Sequence, residues 1–141
     1  MNPTEHKTLA AAAVKAKERA YAPYSGFHVG AALLCDKGTA YIGCNIESAA
    51  YPATICAERT ALTKAVSEGA RKFKAIAIAG SFPGEEGDYC YPCGVCRQML
   101  HEFAKDDFIV IIAKTAEDYR VHTWAEILPY GFGPNDLSKE V

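Results

Sequence analysis

The spacing of apolar and polar residues changes along the chain, and its first third predicts a helix followed by a hairpin. Small apolar residues recur at intervals of three and four from Leu9 onward, which predicts a first helix capped by Asn2 and ending near Ala20. Strand-like runs over residues 29–35 and 40–45 flank a Gly-containing turn. We expect these two runs to pair as a hairpin.

The middle of the chain predicts two helices and two strands. Residues 56–68 have the helical period. Residues 73–79 form a short, largely apolar run of strand type, and residues 108–113 are continuously apolar, as is typical of a strand covered on both faces. Residues 94–105 have helical spacing and lie between these strands, which predicts a crossover that makes the strands parallel. Val95, Met99, Leu100 and Phe103 form one apolar side of this predicted helix.

The C-terminal segment predicts one more strand and a short helix. Residues 114–118 are too few to carry a parallel crossover, so a strand over 119–123 is expected to return antiparallel. Thr123 and Glu126 suit a capped helix start, which predicts a short helix through Leu128. Sheet and helices are therefore expected to form layers.

Length, composition and charge favour one domain over residues 1–141 that acts on a small soluble molecule. Apolar residues make up 50% of the chain, which is enough to build a core. The net charge of -2 argues against a nucleic-acid partner, which would meet a basic surface. The chain has neither the run of about 20 apolar residues that spans a bilayer nor a signal-peptide pattern. We therefore expect no membrane partner and a cytoplasmic location.

Two short motifs predict a metal centre with hydrolytic chemistry. Cys56 opens one predicted helix and is followed by Glu58, while Cys93 and Cys96 open another. The amides and dipole at a helix start stabilise thiolates. Three protein ligands leave the fourth position of zinc open, as is typical of catalytic sites, and Glu58 is a candidate for moving protons there. Arg59 is a candidate donor that would tune the ligand thiolates.

Other uses of the six cysteines stay open at this point. Cys90 can join the other three in a structural four-cysteine zinc site without catalysis. The spacing of Cys90, Cys93 and Cys96 also occurs in iron–sulfur ligation, and a Cys-x-x-Cys pair occurs in thioredoxin-like redox sites. A disulfide framework is disfavoured by the expected cytosolic location. Cys35 and Cys44 are expected to be core residues of strands.

Several stretches of the chain together resemble the small homotetrameric cytidine deaminases. They include the zinc-deaminase signature, in which Cys-x-Glu is followed at a distance by Pro-Cys-x-x-Cys. The stretches keep the family's order between residues 24 and 134, and they are residues 24–32, 45–49, 55–59 and 93–98, then Leu128-Pro129 with Phe132. The resemblance implies a cytidine deaminase-like three-layer α/β/α fold with a five-stranded mixed sheet.

The same resemblance implies an enzyme of pyrimidine salvage. Its reaction is the hydrolysis of cytidine and deoxycytidine to uridine and deoxyuridine with release of ammonia. The resemblance also implies a homotetramer with one Zn²⁺ per subunit. By family position, Cys56, Cys93 and Cys96 bind the zinc, and Glu58 moves the protons.

The resemblance further implies which residues bind the nucleoside. Phe27 is expected to lie against the pyrimidine, and the backbone of Ala57 and Pro92 to contact the base. Asn45 and Glu47 are expected to hold ribose hydroxyls, for which an amide and a carboxylate offer complementary donors and acceptors. Aromatic residues expected to complete sites at subunit contacts are Tyr24, Tyr51 and Phe132.

Some features depart from the family's usual pattern. Tyr91 stands where the family commonly has Ser, and Cys90 is not part of the usual ligand set. The predicted loop from residue 81 to residue 90 also carries three acidic residues. These changes can alter the rim of the pocket, but they touch no predicted ligand and leave Glu58 in place. A related deaminase of a nucleoside-like antibiotic is therefore the alternative assignment among enzymes.

Overall fold

The computed structural model describes residues 1–138, and within this range five strands form one mixed sheet. The strands are β1 (His28–Cys35), β2 (Ala40–Cys44), β3 (Phe73–Ser81), β4 (Ile109–Ala113) and β5 (Tyr119–Thr123). The helices are α1 (Pro3–Ala16), α2 (Ala57–Ser67), α3 (Gly94–His101), α4 (Trp124–Ile127) and α5 (Pro134–Leu137), with 3₁₀ turns at Lys17–Arg19 and Tyr51–Ala53. None of these helices has the length and apolarity to cross a membrane.

The strand order is β2-β1-β3-β4-β5. β1 and β2 are antiparallel, with Gly30 opposite Cys44 and Leu34 opposite Ala40, so the predicted hairpin is confirmed. β3 is antiparallel to β1 and parallel to β4. Because α3 connects β3 to β4, the predicted crossover between parallel strands is confirmed. β5 returns antiparallel to β4, also as predicted.

Helices cover both faces of the sheet, which confirms the three-layer α/β/α arrangement. On one face α1 packs through residues such as Ala13 against Ala77 of β3. On the other face α2 and α3 pack through Leu62 and Leu100 against Ile76 of β3. Successive side chains of a strand point to opposite sides, so the alternating Ala and Ile of β3 serve the two layers separately. The small residues on the α1 side permit close packing.

Two glycines allow a helix backbone to contact a strand backbone, one on each face of the sheet. A Cβ at Gly43 of β2 would lie 2.5 Å from Ala61 N and 2.6 Å from Ala57 O of α2. A Cβ at Gly30 of β1 would lie 2.6 Å from Lys17 N, at the end of α1. Such distances are shorter than any that real Cβ atoms keep. The position of α2, whose start carries the first cysteine motif, therefore depends on the glycine in β2.

Two helices are shorter than predicted, and the predicted apolar side of α3 is only partly buried. α1 gives way to a 3₁₀ turn before its predicted end, and α3 ends at His101. In α3, Val95 is 60% exposed and Met99 is 41% exposed. Leu100 is buried, and the residue buried beside it is Cys96. Residues four apart lie on the same side of a helix, so turning this pair inward leaves the other pair at the surface.

Candidate active site

Three thiols meet where two helices begin. Cys56 is the N-cap residue of α2, Cys93 is the N-cap residue of α3, and Cys96 lies in the first turn of α3. Their Sγ atoms all lie within 4.8 Å of one another. The Cys96 N–H donates to Cys93 Sγ at 3.5 Å. Unpaired amides at a helix start favour negative charge on such sulfur atoms.

The spacing of these thiols fits zinc. A tetrahedral zinc with Zn–S bonds of about 2.3 Å places its sulfur ligands about 3.8 Å apart. The Sγ atoms of Cys56 and Cys93 are 3.7 Å apart. Within residues 1–138 this cluster has three members, and Cys90 is not among them. Three protein ligands leave one position of a tetrahedral metal for water or substrate.

The Arg59 guanidinium and a hydrogen bond between the thiols of Cys56 and Cys96 influence the charge of the cluster. Arg59 Nη2 donates to Cys56 Sγ at 3.7 Å and to Thr54 O at 3.4 Å. A hydrogen bond with the Cys96 thiol, aided by Arg59, lowers the pKa of Cys56 to about 5. The same hydrogen bond raises the pKa of Cys96. Metal binding displaces such thiol protons, so the cluster is prepared to bind a divalent cation.

Glu58 is a buried carboxyl beside the thiols. It lies in the first turn of α2 and is 4% exposed. Burial raises the pKa of Glu58 to about 7, and the negative charge of Cys56 acts in the same direction. A hydrogen bond between the Glu58 carboxyl and Cys96 partly opposes this rise in pKa. The same hydrogen bond shows that the carboxyl lies within reach of the cluster. The structure therefore brings the predicted proton-transfer residue and the predicted ligands together.

A short backbone bridge holds Asn45 and Glu47 beside the first cysteine motif. Ile46 and Ile55 exchange two N–H···O bonds of 3.0 Å. Asn45 and Glu47 flank the first of these residues, and Cys56 follows the second. The predicted ribose-binding pair is therefore held next to the start of α2.

Asn45 fixes the backbone at the start of β1, directly after the loop that carries Phe27. Its Nδ2 donates to Phe27 O at 2.8 Å, and its Oδ1 accepts the N–H of Val29 at 2.9 Å. Asn45 is 8% exposed. Since an amide nitrogen has two protons, one remains for another acceptor.

Glu47 is surrounded by donors from the preceding loop. Its Oε1 accepts the N–H groups of Tyr24 at 2.9 Å and Ser25 at 3.0 Å, and its Oε2 accepts the Ser25 hydroxyl. A cavity of about 370 Å³ lies against this carboxylate, lined by Tyr24, Ser25, Glu47, Ser48, Tyr51 and Thr54. The cavity is open and is lined by none of the clustered thiols.

Phe27 packs against a glycine at the end of β3. Its ring meets Phe82 edge-on, with ring centroids 5.2 Å apart. A Cβ at Gly80 would lie 3.0 Å from Phe27 Cε2 and 2.8 Å from Cys90 Sγ. Gly80 therefore leaves room for both side chains. Cys90 packs here, and burial raises the pKa of its thiol to about 11, so it stays protonated.

The other residues predicted to bind the nucleoside range from fully buried to largely exposed. Ala57 is fully buried at the start of α2. The carbonyl of Pro92 accepts the Nε–H of Arg97 at 2.8 Å, which holds the loop before α3. Tyr51 is 70% exposed and Phe132 is 59% exposed, so both rings stay at the surface of the single subunit.

Sequence reasoning missed four residues that shape the site. Arg97 and Gln98 follow the second cysteine motif, and Gln98 Nε2 donates to the Phe132 carbonyl at 2.8 Å. Ser25 and Gly80 make the contacts described above with Glu47 and Phe27. Three of the four lie inside the stretches that carry the resemblance, which is the signal that could have found them. Gly80 has no such signal.

A family model described as the cytidine and deoxycytidylate deaminase zinc-binding region matches residues 3–112. That range includes the three clustered thiols and Glu58. The chain belongs to this deaminase family. Zinc is therefore its metal cofactor, and the cluster of Cys56, Cys93 and Cys96 is suited to hold it.

Similar proteins match the chain over nearly its whole length. A cytidine deaminase of Sporosarcina psychrophila is 48% identical over 130 residues, which are 92% of this chain and 93% of that protein. A cytidine deaminase of Halalkalibacterium halodurans is 42% identical, with 95% and 98% covered. The crystal structure of cytidine deaminase from Burkholderia pseudomallei superposes with a TM-score of 0.80 and 43% identity, over 90% of this chain and 98% of that one. These likenesses confirm the fold class.

Proposed function

We propose that this protein catalyses the zinc-dependent hydrolysis of cytidine and deoxycytidine to uridine and deoxyuridine, with release of ammonia. The observation that carries the proposal is a buried carboxyl, Glu58, beside three thiols with the spacing of zinc ligands. Membership of the deaminase family and the similarity to proteins named cytidine deaminase support the same reaction. We further propose that residues 1–141 act as one domain.

The proposed chemistry divides between metal binding and proton transfer. Cys56, Cys93 and Cys96 would hold the zinc, and the bound metal would supply a water of lowered pKa as the nucleophile near neutral pH. Glu58 accepts a proton from the attacking water and delivers it to N3 of the pyrimidine. It then takes the remaining proton of the hydroxyl added at C4 and passes it to the amine, so that the C4 carbonyl forms as the carbon–nitrogen bond breaks and ammonia leaves. A pKa of about 7 suits a carboxyl that must both accept and donate protons near neutral pH. Arg59 offsets the charge of the thiolates.

The proposed nucleoside site extends from the thiols toward the loop before β1. Phe27 lies against the pyrimidine, and the backbone of Ala57 and Pro92 contacts the base. Glu47 accepts a sugar hydroxyl, and the remaining amide proton of Asn45 donates to one. The support for this assignment is the bridge that places these two residues beside Cys56, together with the open cavity at Glu47.

The proposal also includes a cytoplasmic role in pyrimidine salvage and a homotetrameric assembly. The rings of Tyr51 and Phe132 are largely exposed in one subunit, and the cavity at Glu47 is open. A neighbouring subunit that covers these rings would close the site from outside. This arrangement supports an assembly in which one subunit completes the pocket of another.

The deciding experiment compares purified wild type with Glu58→Gln by the ultraviolet absorbance change on adding cytidine. Wild type is expected to turn over cytidine, and the variant to lose about 10²- to 10⁴-fold in kcat, because the proton transfers lose their carrier. Zinc content and thermal unfolding are measured for both proteins, so that loss of metal or fold is excluded as the cause.

Two further results would redirect the assignment. If zinc-loaded wild type turns over neither cytidine nor deoxycytidine, nucleoside-like antibiotics become the next substrates to test. The Cys90→Ser variant tests the structural four-cysteine alternative, because a fourth ligand would be needed to retain zinc. Since Cys90 lies outside the cluster, we expect this variant to keep its zinc and its turnover.

A further inference from the structure

Ser25 connects two of the proposed nucleoside-binding residues. Its hydroxyl donates to Oε2 of Glu47, and its oxygen accepts the N–H of Phe27 at 3.0 Å. Its own N–H donates to Oε1 of Glu47 at 3.0 Å. One loop residue thus ties the carboxylate proposed for the sugar to the backbone of the ring proposed for the base.

The hydrogen bonds of Glu47 decide which of its oxygens can accept a ligand. Oε1 already accepts two N–H groups, from Tyr24 and Ser25, and these occupy its two lone pairs. Oε2 accepts the Ser25 hydroxyl and has room for one further donor. A sugar hydroxyl bound by Glu47 therefore meets Oε2, the oxygen that the Ser25 hydroxyl orients.

We infer that Ser25 is a positioning residue for the sugar of the substrate: its hydroxyl fixes Oε2 of Glu47 in the direction that receives one ribose hydroxyl. The inference rests on the proposed function and names a determinant of its selectivity. Ser25 then favours nucleosides that carry a sugar hydroxyl for Glu47 over nucleosides that lack one.

Removing only the Ser25 hydroxyl would remove one hydrogen bond to Glu47 and one to the Phe27 backbone. In Ser25→Ala the two backbone N–H groups still hold Oε1 of Glu47, so the carboxylate stays in place but can turn about that oxygen. The Phe27 amide loses its acceptor as well, and this loss affects every substrate that has the pyrimidine. Comparing substrates with and without sugar hydroxyls therefore separates the effect through Glu47 from the effect through Phe27.

The test measures KM and kcat of zinc-loaded wild type and Ser25→Ala with cytidine and with 2′,3′-dideoxycytidine. We expect KM for cytidine to rise about fivefold more than KM for the dideoxynucleoside, which corresponds to one net hydrogen bond, with kcat nearly unchanged. Ser25→Thr, which keeps a hydroxyl, is expected to restore the wild-type ratio. Ser67→Ala is the matched control, because the Ser67 hydroxyl donates within α2 to Lys64 O.

A second readout does not depend on turnover. The Ser25 hydroxyl is the largest cause that holds the pKa of Glu47 below its ordinary value. Carbon-detected NMR titration of the Glu47 carboxyl is expected to give a higher pKa in Ser25→Ala. An unchanged pKa, or KM values that rise equally or not at all for the two nucleosides, would overturn the inference. Failure of wild type to deaminate cytidine would instead refute the proposed function, and the inference would fall with it.

Discussion

Glu58 makes the stability of the metal-free protein depend on pH. Its pKa is about 7 in the folded protein, above the ordinary value of 4.5, so the folded state binds more protons than the unfolded state between these pH values. The free energy of unfolding is therefore expected to fall as pH rises from about 4.5 to about 7, by about 3 kcal/mol from this group. Denaturant unfolding of zinc-stripped wild type and Glu58→Gln at several pH values measures this change in the free energy of unfolding.

The variant separates this group from the other titrating groups. Gln is neutral at every pH, so the stability of Glu58→Gln relative to wild type should increase with pH and level off above the folded-state pKa. At pH 4 the two proteins should be nearly equally stable. A difference that stays constant from pH 4 to pH 8 would contradict the assignment of a buried, proton-binding Glu58.

Arg59 is expected to strengthen zinc binding through its contact with Cys56. Its Nη2 is 3.7 Å from the Cys56 sulfur, and this contact contributes to the low pKa of that thiol. Arg59→Gln should therefore weaken zinc affinity by about tenfold, as is common for partners of metal ligands. Zinc release to a chromogenic chelator measures the change. Arg71→Gln serves as the control and should bind zinc as wild type does, because the Arg71 guanidinium donates to the carbonyls of Val66 and Ala70 near the C-terminal end of α2.

The chemistry of the site could be predicted from the sequence because it is local. The two cysteine motifs and Glu58 occupy helix starts whose positions follow from the residues around them. The contacts of Ser25 and Gly80 could not be predicted in this way, because each joins segments far apart in the chain. Ser25 precedes Glu47 by 22 residues, and no periodic pattern relates them.

At the scale of elements, the distance between α2 and the sheet should control the metal site. Gly43→Ala places a Cβ 2.5 Å from Ala61 N, so α2 must move away from β2. Because Cys56, the first proposed zinc ligand, caps the start of α2, we expect lower zinc affinity together with a stability loss of about 1–3 kcal/mol. Chelator competition and denaturant unfolding measure the two effects on the same samples.

The opposite face of the sheet provides the control for this change. Gly30→Ala creates a similar clash with the end of α1, which carries no predicted ligand. It should lower stability by a similar amount, about 1–3 kcal/mol, with zinc affinity unchanged while the protein is folded. If both variants lose zinc equally, the metal site responds to general destabilisation and not to the position of α2.

Most elements were predictable because their apolar patterns are unambiguous, as are the apolar runs of β3 and β4. The buried side of α3 was harder to predict, because the sequence has two adjacent apolar pairs, Val95 with Met99 and Cys96 with Leu100. The apolar content of Val95 and Met99 suggested burial, but the thiol cluster requires Cys96 to face inward. Tertiary contacts at the site thus decided which side of the helix is buried.

At the scale of the whole molecule, the exposed rings predict assembly. Tyr51 is 70% exposed and Phe132 is 59% exposed, although both resemble residues that complete pockets at subunit contacts. We expect sedimentation at a mass four times the 15.2 kDa of one chain. Phe132→Ala should lower turnover of cytidine while zinc content stays the same. A stable monomer with full activity would contradict this proposal.

The placement of the thiols also gives zinc the role of a cross-link around the centre of the sheet. A metal held by the proposed ligands Cys56 and Cys93 would close a loop of chain that contains β3, the central strand of the sheet. Closing a loop lowers the conformational entropy of the unfolded chain, and β3 cannot leave the sheet without straining that closure. Amide hydrogen exchange in β3 should therefore slow when zinc is added, far more than in the edge strand β5, which lies outside the loop.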